Sequence, residues 1–427
     1  MPLPLIDQYV TLIRHNKQYR YLWFSQIISQ SGDWFNLIAS AALVANLSGS
    51  GLAIGGLFLA RLLPPFVLGP LVGVVADRFD RRNILIASDV LRAVIVLGFL
   101  LVRTEQEIWL LYVLTVLQLS VSAFFEPARA ALVPSLVRRE DLVTSNALDA
   151  TTWSSMLAIG AALGGLATAM FGITTAFLID SASFILSAWF ISRVRPAFAP
   201  VEPEPAEQRD TGWQAFMAGL NYLRQHPAVL TVALLKASKA LAFGGMAVVE
   251  VTFAKELFPL GADGSGTLGL IYVVAGLSTG LGPLLARRFT GDNLKAIYWA
   301  ILFSYFCLIV GFTLAGFSTT LWLLLIASFI RTFGSGISWV YSSTLLQMSV
   351  PSKFLGRVFA FDLAMMTMAS SISTLWVGWA KDGLGLSPQQ TALMLAAVPV
   401  VMAIGWSFFL VSHLKQQRTM QQSVNLP

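Results

Sequence analysis

The sequence predicts an all-α integral membrane protein of twelve transmembrane helices arranged as two six-helix bundles. Three observations predict it. The chain is 56% hydrophobic and only 12% charged, with a mean hydropathy of +0.71, whereas a soluble chain carries roughly a quarter charged residues. Its apolar residues fall into runs of about 20 or more, the length a helix needs to cross a bilayer at about 1.5 Å per residue. Its Lys and Arg residues collect between alternate runs. The runs are continuously apolar and do not alternate in segments of about ten, so helices are indicated and a barrel is not.

Taken in order, each run is bounded by charge or by Gly and Pro. The first, 21–46, follows Arg14, Lys17 and Arg20 and stops before Gly49-Ser50-Gly51; the second, 52–76, runs into Asp77-Arg78. Spans 83–103 and 108–130 flank the short polar stretch Thr104–Glu107, and 143–170 and 172–194 follow the basic pair Arg138-Arg139. The second half repeats the plan with 228–256, 264–287, 294–316, 320–345, 356–381 and 390–413. The start, "MPLPLIDQYVTLIRHNKQYRYLW", has no short apolar core followed by a small-residue cleavage site, so the first span is expected to target the chain itself.

Of the 28 basic residues, twenty fall on one face of the membrane and only Arg103, Lys255 and Lys381 on the other; Arg61, Arg92, Lys236, Lys239 and Arg331 lie within spans. The positive-inside rule then places both termini in the cytoplasm of a multi-pass protein of the cell inner membrane. The net charge of +6 follows from this topology, and a nucleic-acid partner is not needed to explain it.

Between the sixth and seventh spans the composition turns to "RPAFAPVEPEPAEQRDTG", a Pro- and Glu-rich cytoplasmic linker. Trp213, Phe216, Met217, Leu220 and Leu223 then fall on one helical face, as in an amphipathic helix lying on the membrane surface. The expected domains are a bundle at 1–194, a linker with its amphipathic helix at 195–227 and a second bundle at 228–427. The halves repeat: "GPL" at Gly69–Leu71 returns at Gly282–Leu284, and "VPS" at Val133–Ser135 returns at Val350–Ser352, each at the same stage of a six-span unit. Such duplication is a transporter plan with the site near the midplane.

The stretch "GPLVGVVADRFDRRNIL" resembles the loop 2–3 signature of the major facilitator superfamily, roughly G-x-x-x-D-R-x-G-R-R. Gly73, Asp77, Arg78, Arg81 and Arg82 match it, and Asp80 takes the usual Gly position. "SQIISQSGDW", "RLLPPFVLGPL", "VPSLVRREDLVTSNAL" and "LLQMSVPSKFLGRVFA" are similar to the enterobactin and macrolide exporter branch of that superfamily. The resemblance implies a conformational latch. Gly73 would let the second and eleventh helices approach closely, and Asp77 would accept hydrogen bonds at the N-terminal end of the eleventh helix near Gly356 and pair with Arg129. Plain positive-inside anchoring explains the arginines but leaves Asp77 unexplained. In the fifth span, "MLAIGAALGG" keeps Gly160, Gly164 and Gly165 of the antiporter pattern for close helix packing, while Met156 and Ala161 replace its first Gly and its Pro. The fourth-span arginine associated with proton coupling in many exporters is absent from "LYVLTVLQLSVSAFF".

In that fold the cavity is expected to be lined by the first, fourth, seventh and tenth spans. They carry Asp33, Glu126, Lys236 with Lys239, and Arg331. Charges inside a membrane are costly unless they face a cavity or a partner, so each is a functional candidate. Asp33, midway through its span, is the first candidate for proton coupling and Glu126 the second. Lys236, Lys239, Arg331, Trp34 and Arg61 are candidates for the substrate cavity. The competing reading is a structural ion pair, for example Asp33 with Lys239. Asp89 and Arg92, three apart on one helix, are expected to neutralise each other.

Enzymatic readings fail on context. There is no G-x-x-x-x-G-K-[ST] loop for ATP. "GLSTG" at Gly276–Gly280 lies inside a span with no histidine nearby, and "GSGTLG" at Gly264–Gly269 has no preceding strand. Three scattered histidines and the lone Cys307 suggest no metal site and no cofactor. The expectation is a secondary active transporter, functional as a monomer, that moves a small-molecule substrate and protons across the lipid bilayer by alternating access: proton-coupled efflux of a siderophore-, macrolide- or drug-like amphipathic molecule. An importer or lysolipid transporter of the same fold, or a transport-inactive membrane sensor, is the alternative.

Overall fold

The computed structural model describes residues 5–138, 141–195, 212–291 and 293–424, and within these it describes 69–78 and some other short stretches by their backbone alone. The described chain is helical throughout, with no strand. Its α-helices are α1 (Leu5–His15), α2 (Lys17–Ser48), α3 (Gly51–Arg78), α4 (Arg81–Gly98), α5 (Ile108–Leu132), α6 (Leu142–Ser192), α7 (Gly212–Gln225), α8 (Pro227–Ala233), α9 (Leu235–Thr252), α10 (Ser265–Thr290), α11 (Leu294–Gly316), α12 (Leu321–Ser349), α13 (Ser352–Leu384) and α14 (Pro388–Val424).

Among the described residues, ten of the helical segments are long and apolar enough to cross a membrane. That number falls two short of twelve, and each difference has a physical reason. At 51 residues, α6 is about 77 Å long, more than twice the roughly 30 Å bilayer core. It breaks at Gly172, whose φ of 83° only a residue without a Cβ adopts readily, so it carries the fifth and sixth spans. The 32-residue α2 is long enough but polar, because it carries Ser25, Gln26, Ser29, Gln30, Asp33 and Asn36 along its length. The twelve-helix fold of two six-helix bundles follows.

Helix ends are set by local chemistry. Asn16 caps α2 by accepting from the Tyr19 amide at 2.9 Å and donates to the Leu136 carbonyl at 2.7 Å. Asp80 caps α4, accepting from the Asn83 amide at 2.9 Å, which gives the residue in the Gly position of the loop signature a structural use. The short amphipathic α1 precedes the first span and is not among the elements read from the sequence. Its Leu12 is buried in a cluster with Tyr19, Leu22, Leu85, Phe125 and Leu132.

The helices form two compact units. One comprises α1 to α6 with Glu250–Gly276; the other comprises Trp213–Val249 with Leu277–Pro427. The expected amphipathic helix after the linker is α7, whose Leu223 is buried; the linker residues 196–211 lie outside the described residues.

Glycines set the packing inside the first unit. A Cβ on Gly160 would stand 2.6 Å from Trp34 Cδ1, and one on Gly164 would stand 3.0 Å from the Trp34 carbonyl oxygen. One on Gly165 would meet the Gly269 Cα at 2.6 Å, backbone that has nowhere to go. Gly165→Val is therefore expected to destabilise the protein by about 1–3 kcal/mol through overpacking. Gly280→Ala, where a Cβ meets nothing within 4 Å, is expected to be neutral or stabilising by up to about 1 kcal/mol. Thermal unfolding in detergent of the two variants beside the parent chain checks both.

Candidate functional site

The polar face of α2 lies along two adjoining cavities within the first unit. One, of about 180 Å³, is lined by Gln30, Asp33, Trp34, Arg61, Trp153 and Met156 among others. The second, of about 340 Å³, is lined by Gln26, Ser29, Asp33, Arg92, Phe125 and Glu126. Asp33 borders both and is about 35% exposed. Its charge is met by Arg92 of α4, whose Nη1 stands 3.8 Å from Asp33 Oδ2, beyond hydrogen-bond reach. The ion pair of Asp33 is thus with α4.

Arg92 itself is held from several sides. It makes a short ion pair with Asp89 one turn away, as the i,i+3 spacing predicts, and its guanidinium lies 4.2 Å from the Phe184 ring centroid and 4.7 Å from that of Phe125. Asp89 also accepts from the Ser187 hydroxyl at 2.6 Å. Asp33 is therefore the loosely held member of this group, and it borders both of these cavities.

Glu126 is 55% exposed and pairs with Arg129 at 3.1 Å on the same helix. Arg129 is buried, and bonds Asp149 at 2.8 Å and Gln26 at 3.1 Å as well. Asp149 in turn accepts from the Tyr19 hydroxyl at 2.9 Å. Arg129 thus ties α2, α5 and α6 together. Tyr19 and Asp149 were not singled out in the sequence, since neither a tyrosine nor an acid near a helix end stands out by periodicity. Trp34 packs its ring against Tyr272 with centroids 5.5 Å apart and borders the smaller cavity with Arg61.

The loop between α3 and α4 is tied to the ends of two neighbouring helices. Arg81 donates to the Ala131 carbonyl at 2.8 Å, at the C-terminal end of α5. Arg82 donates to the Ile191 carbonyl at 3.3 Å and to the Ser192 carbonyl at the end of α6. These carbonyls lie in the last turn of their helices, where a cation meets the negative end of the helix dipole. The side chains of Gly73, Asp77 and Arg78 lie outside the described residues. Gly356, in the first turns of α13, is exposed with open space where a Cβ would stand.

In the second unit, Lys236 of α9 makes a 2.6 Å ion pair with Asp362 of α13. Lys239, one turn on, donates to the Ser335 carbonyl at 3.1 Å. Both ammonium groups lie over the Trp339 ring, at 4.8 and 5.2 Å from its centroid. Arg331 is buried between Phe243 and Phe312, at 4.9 and 5.3 Å. The helical spacing of Lys236 and Lys239 is realised on one face, but the acid that pairs with Lys236 comes from another helix, a pairing the spacing does not predict.

The Major Facilitator Superfamily pattern matches residues 22–374. The uncharacterized MFS-type transporter YfiS of Bacillus subtilis (strain 168) is 29% identical over 385 residues, covering 88% of this chain and 89% of that protein. BacE of the same organism, whose name proposes bacilysin export, is 24% identical, covering 84% and 87%. Macrolide efflux protein A of Streptococcus pyogenes is 22% identical, covering 86% and 90%. Among solved structures, the nucleoside transporter NupG superposes with a TM-score of 0.72 at 15% identity, covering 91% of this chain and 97% of that one. The POT family transporter PepTSo gives 0.70 at 13%, covering 94% and 99%. These two likenesses concern the fold alone.

Proposed function

Since the chain belongs to the Major Facilitator Superfamily, we propose that it is a proton-coupled exporter of a small amphipathic molecule, with Asp33 as the carboxylate that takes up and releases the proton. The observation that carries this reading is the placement of Asp33: it borders two cavities, and its cationic partner Arg92 stands 3.8 Å away while engaged elsewhere. A proton on Asp33 removes one charge from an ion pair without unmaking the Asp89–Arg92 pair behind it. Such a change alters the relative energy of two conformations, which is what alternating access requires. Export is favoured over import because two of the relatives are named for efflux or export.

The remaining parts of the reading follow from this. Glu126, coupled to Arg129, is the second proton-accepting group. Gly73, Asp77 and Arg78 latch the cytoplasmic side in one conformation, on a loop that Arg81 and Arg82 hold in place within its own unit. The protein works as a monomer in the inner membrane, with both termini in the cytoplasm and with 1–194 and 228–427 as its two bundles. The family and the relatives are transporters, and the reaction is binding exchange without covalent chemistry.

The test is accumulation of a panel of siderophores, macrolides and dyes in efflux-deficient cells, with and without a protonophore. Expression is expected to lower accumulation of at least one compound, and the protonophore to restore it. Raised accumulation on expression would point instead to import, and lowered accumulation that survives the protonophore would remove the proton from the mechanism.

A further inference from the structure

The acids and bases inside the second unit do not balance. Within its membrane spans Lys236, Lys239 and Arg331 face a single carboxylate, Asp362, among the described residues. Asp362 is taken by Lys236 at 2.6 Å and its other oxygen receives no hydrogen bond, so Lys239 feels this carboxylate only at a distance and one acid serves two lysines. The next carboxylate along α9, Glu250, is eleven residues away, about 16 Å along the helix.

Lys239 is only 7% exposed, yet its acceptors are neutral and few. The Ser335 carbonyl at 3.1 Å is one good partner; the Ser338 hydroxyl at 3.5 Å is at the outer limit of a hydrogen bond. An ammonium group has three donors and is strongly hydrated, so this environment leaves it short of acceptors and of counter-charge. The aromatic rings around it, Trp339 at 5.2 Å and Phe243 at 5.9 Å, compensate only in part. Trp339 is 45% exposed, so part of the indole beside Lys239 is accessible.

From this we propose that Lys239 and Trp339 form a binding site for an amphipathic carboxylate: the ammonium group takes the carboxylate and the indole face takes the apolar body. The proposal rests on the transporter reading above and adds the substrate class to it. A carboxylate at Lys239 displaces the long Ser338 contact, supplies the missing counter-charge and satisfies the free donor direction in one step. Lys236 stays with Asp362, so the two lysines on one helix face have different tasks. The first is a structural pair and the second is a ligand-binding cation.

The test is equilibrium binding to the full chain in lipid nanodiscs, with 2-naphthoate as the probe and 2-naphthamide as its uncharged counterpart. The acid is expected to bind saturably and at least about tenfold more tightly than the amide. Lys239→Gln is expected to weaken the acid by about 10- to 100-fold and leave the amide unchanged. Lys239→Arg, which keeps the charge, is expected to hold most of the affinity, and it separates a lost charge from a lost fold. Equal binding of acid and amide, full binding of the acid to Lys239→Gln, or no saturation by the acid up to about 10 mM would each overturn the proposal. Binding is read without any gradient, so failure here leaves proton coupling standing, and failure of proton coupling leaves this result standing.

Discussion

Asp33→Asn is expected to abolish gradient-driven transport while sparing exchange of substrate across the membrane at equilibrium. Asparagine keeps the size and polarity of the side chain bordering both cavities but carries no exchangeable acid proton. The neighbouring group tolerates the change, because Arg92 keeps Asp89 and its two aromatic neighbours. The expected fall in driven transport is at least about tenfold, the factor that corresponds to about 1.4 kcal/mol of lost driving force. Proteoliposomes with an imposed pH gradient, beside counterflow without one, read the two quantities separately. Loss of both together would mean that Asp33 serves binding or folding, and retention of both would take it out of the coupling.

The largest expected effect on stability is at Arg92. Arg92→Met leaves Asp89, fully buried, with the Ser187 hydroxyl as its remaining hydrogen-bond partner among those described here. Breaking a buried pair by removing one member costs about 3–5 kcal/mol, because the other charge stays buried. The double variant Arg92→Met with Asp89→Leu is expected to recover most of that loss, since apolar residues of similar volume replace buried pairs at little cost. Denaturation in detergent micelles measures both. A single variant no less stable than the double would show that the pair contributes nothing specific.

Much of the fold was legible because the bilayer constrains sequence strongly. A span of about 20 apolar residues is a length requirement, and all twelve runs could be read from it. The least apolar of them, α2, was bounded by its flanking charges and glycines, and the residues that make it the polar wall of two cavities are those that lower its mean hydropathy. The break within α6 was legible as the boundary between the runs 143–170 and 172–194, one residue from the kink at Gly172. The amphipathic α1 was not, since its polar residues merge with the basic stretch before the first span.

The site was legible in its residues and less so in its partners. Asp89 with Arg92 follows from helical spacing alone, and so do Lys236 and Lys239 on one face. Asp33 with Arg92, and Lys236 with Asp362, join different helices. Such pairs depend on how each helix is rotated against its neighbour, and a period of 3.6 residues does not carry that information. Arg129 shows the same: its spacing from Glu126 is local, but its bonds to Gln26 and Asp149 come from two other helices.

The central claim, that substrate movement is tied to proton movement in the opposite direction, is tested most directly by a pH-sensitive dye enclosed in proteoliposomes. A transported compound is added outside, so that it flows inward down its own gradient. The account predicts that the interior becomes more alkaline as protons leave in exchange, and that Asp33→Asn abolishes the signal. The sign does not depend on which way the protein is inserted. An interior that acidifies as substrate enters, or substrate entry with no change of pH, would contradict it.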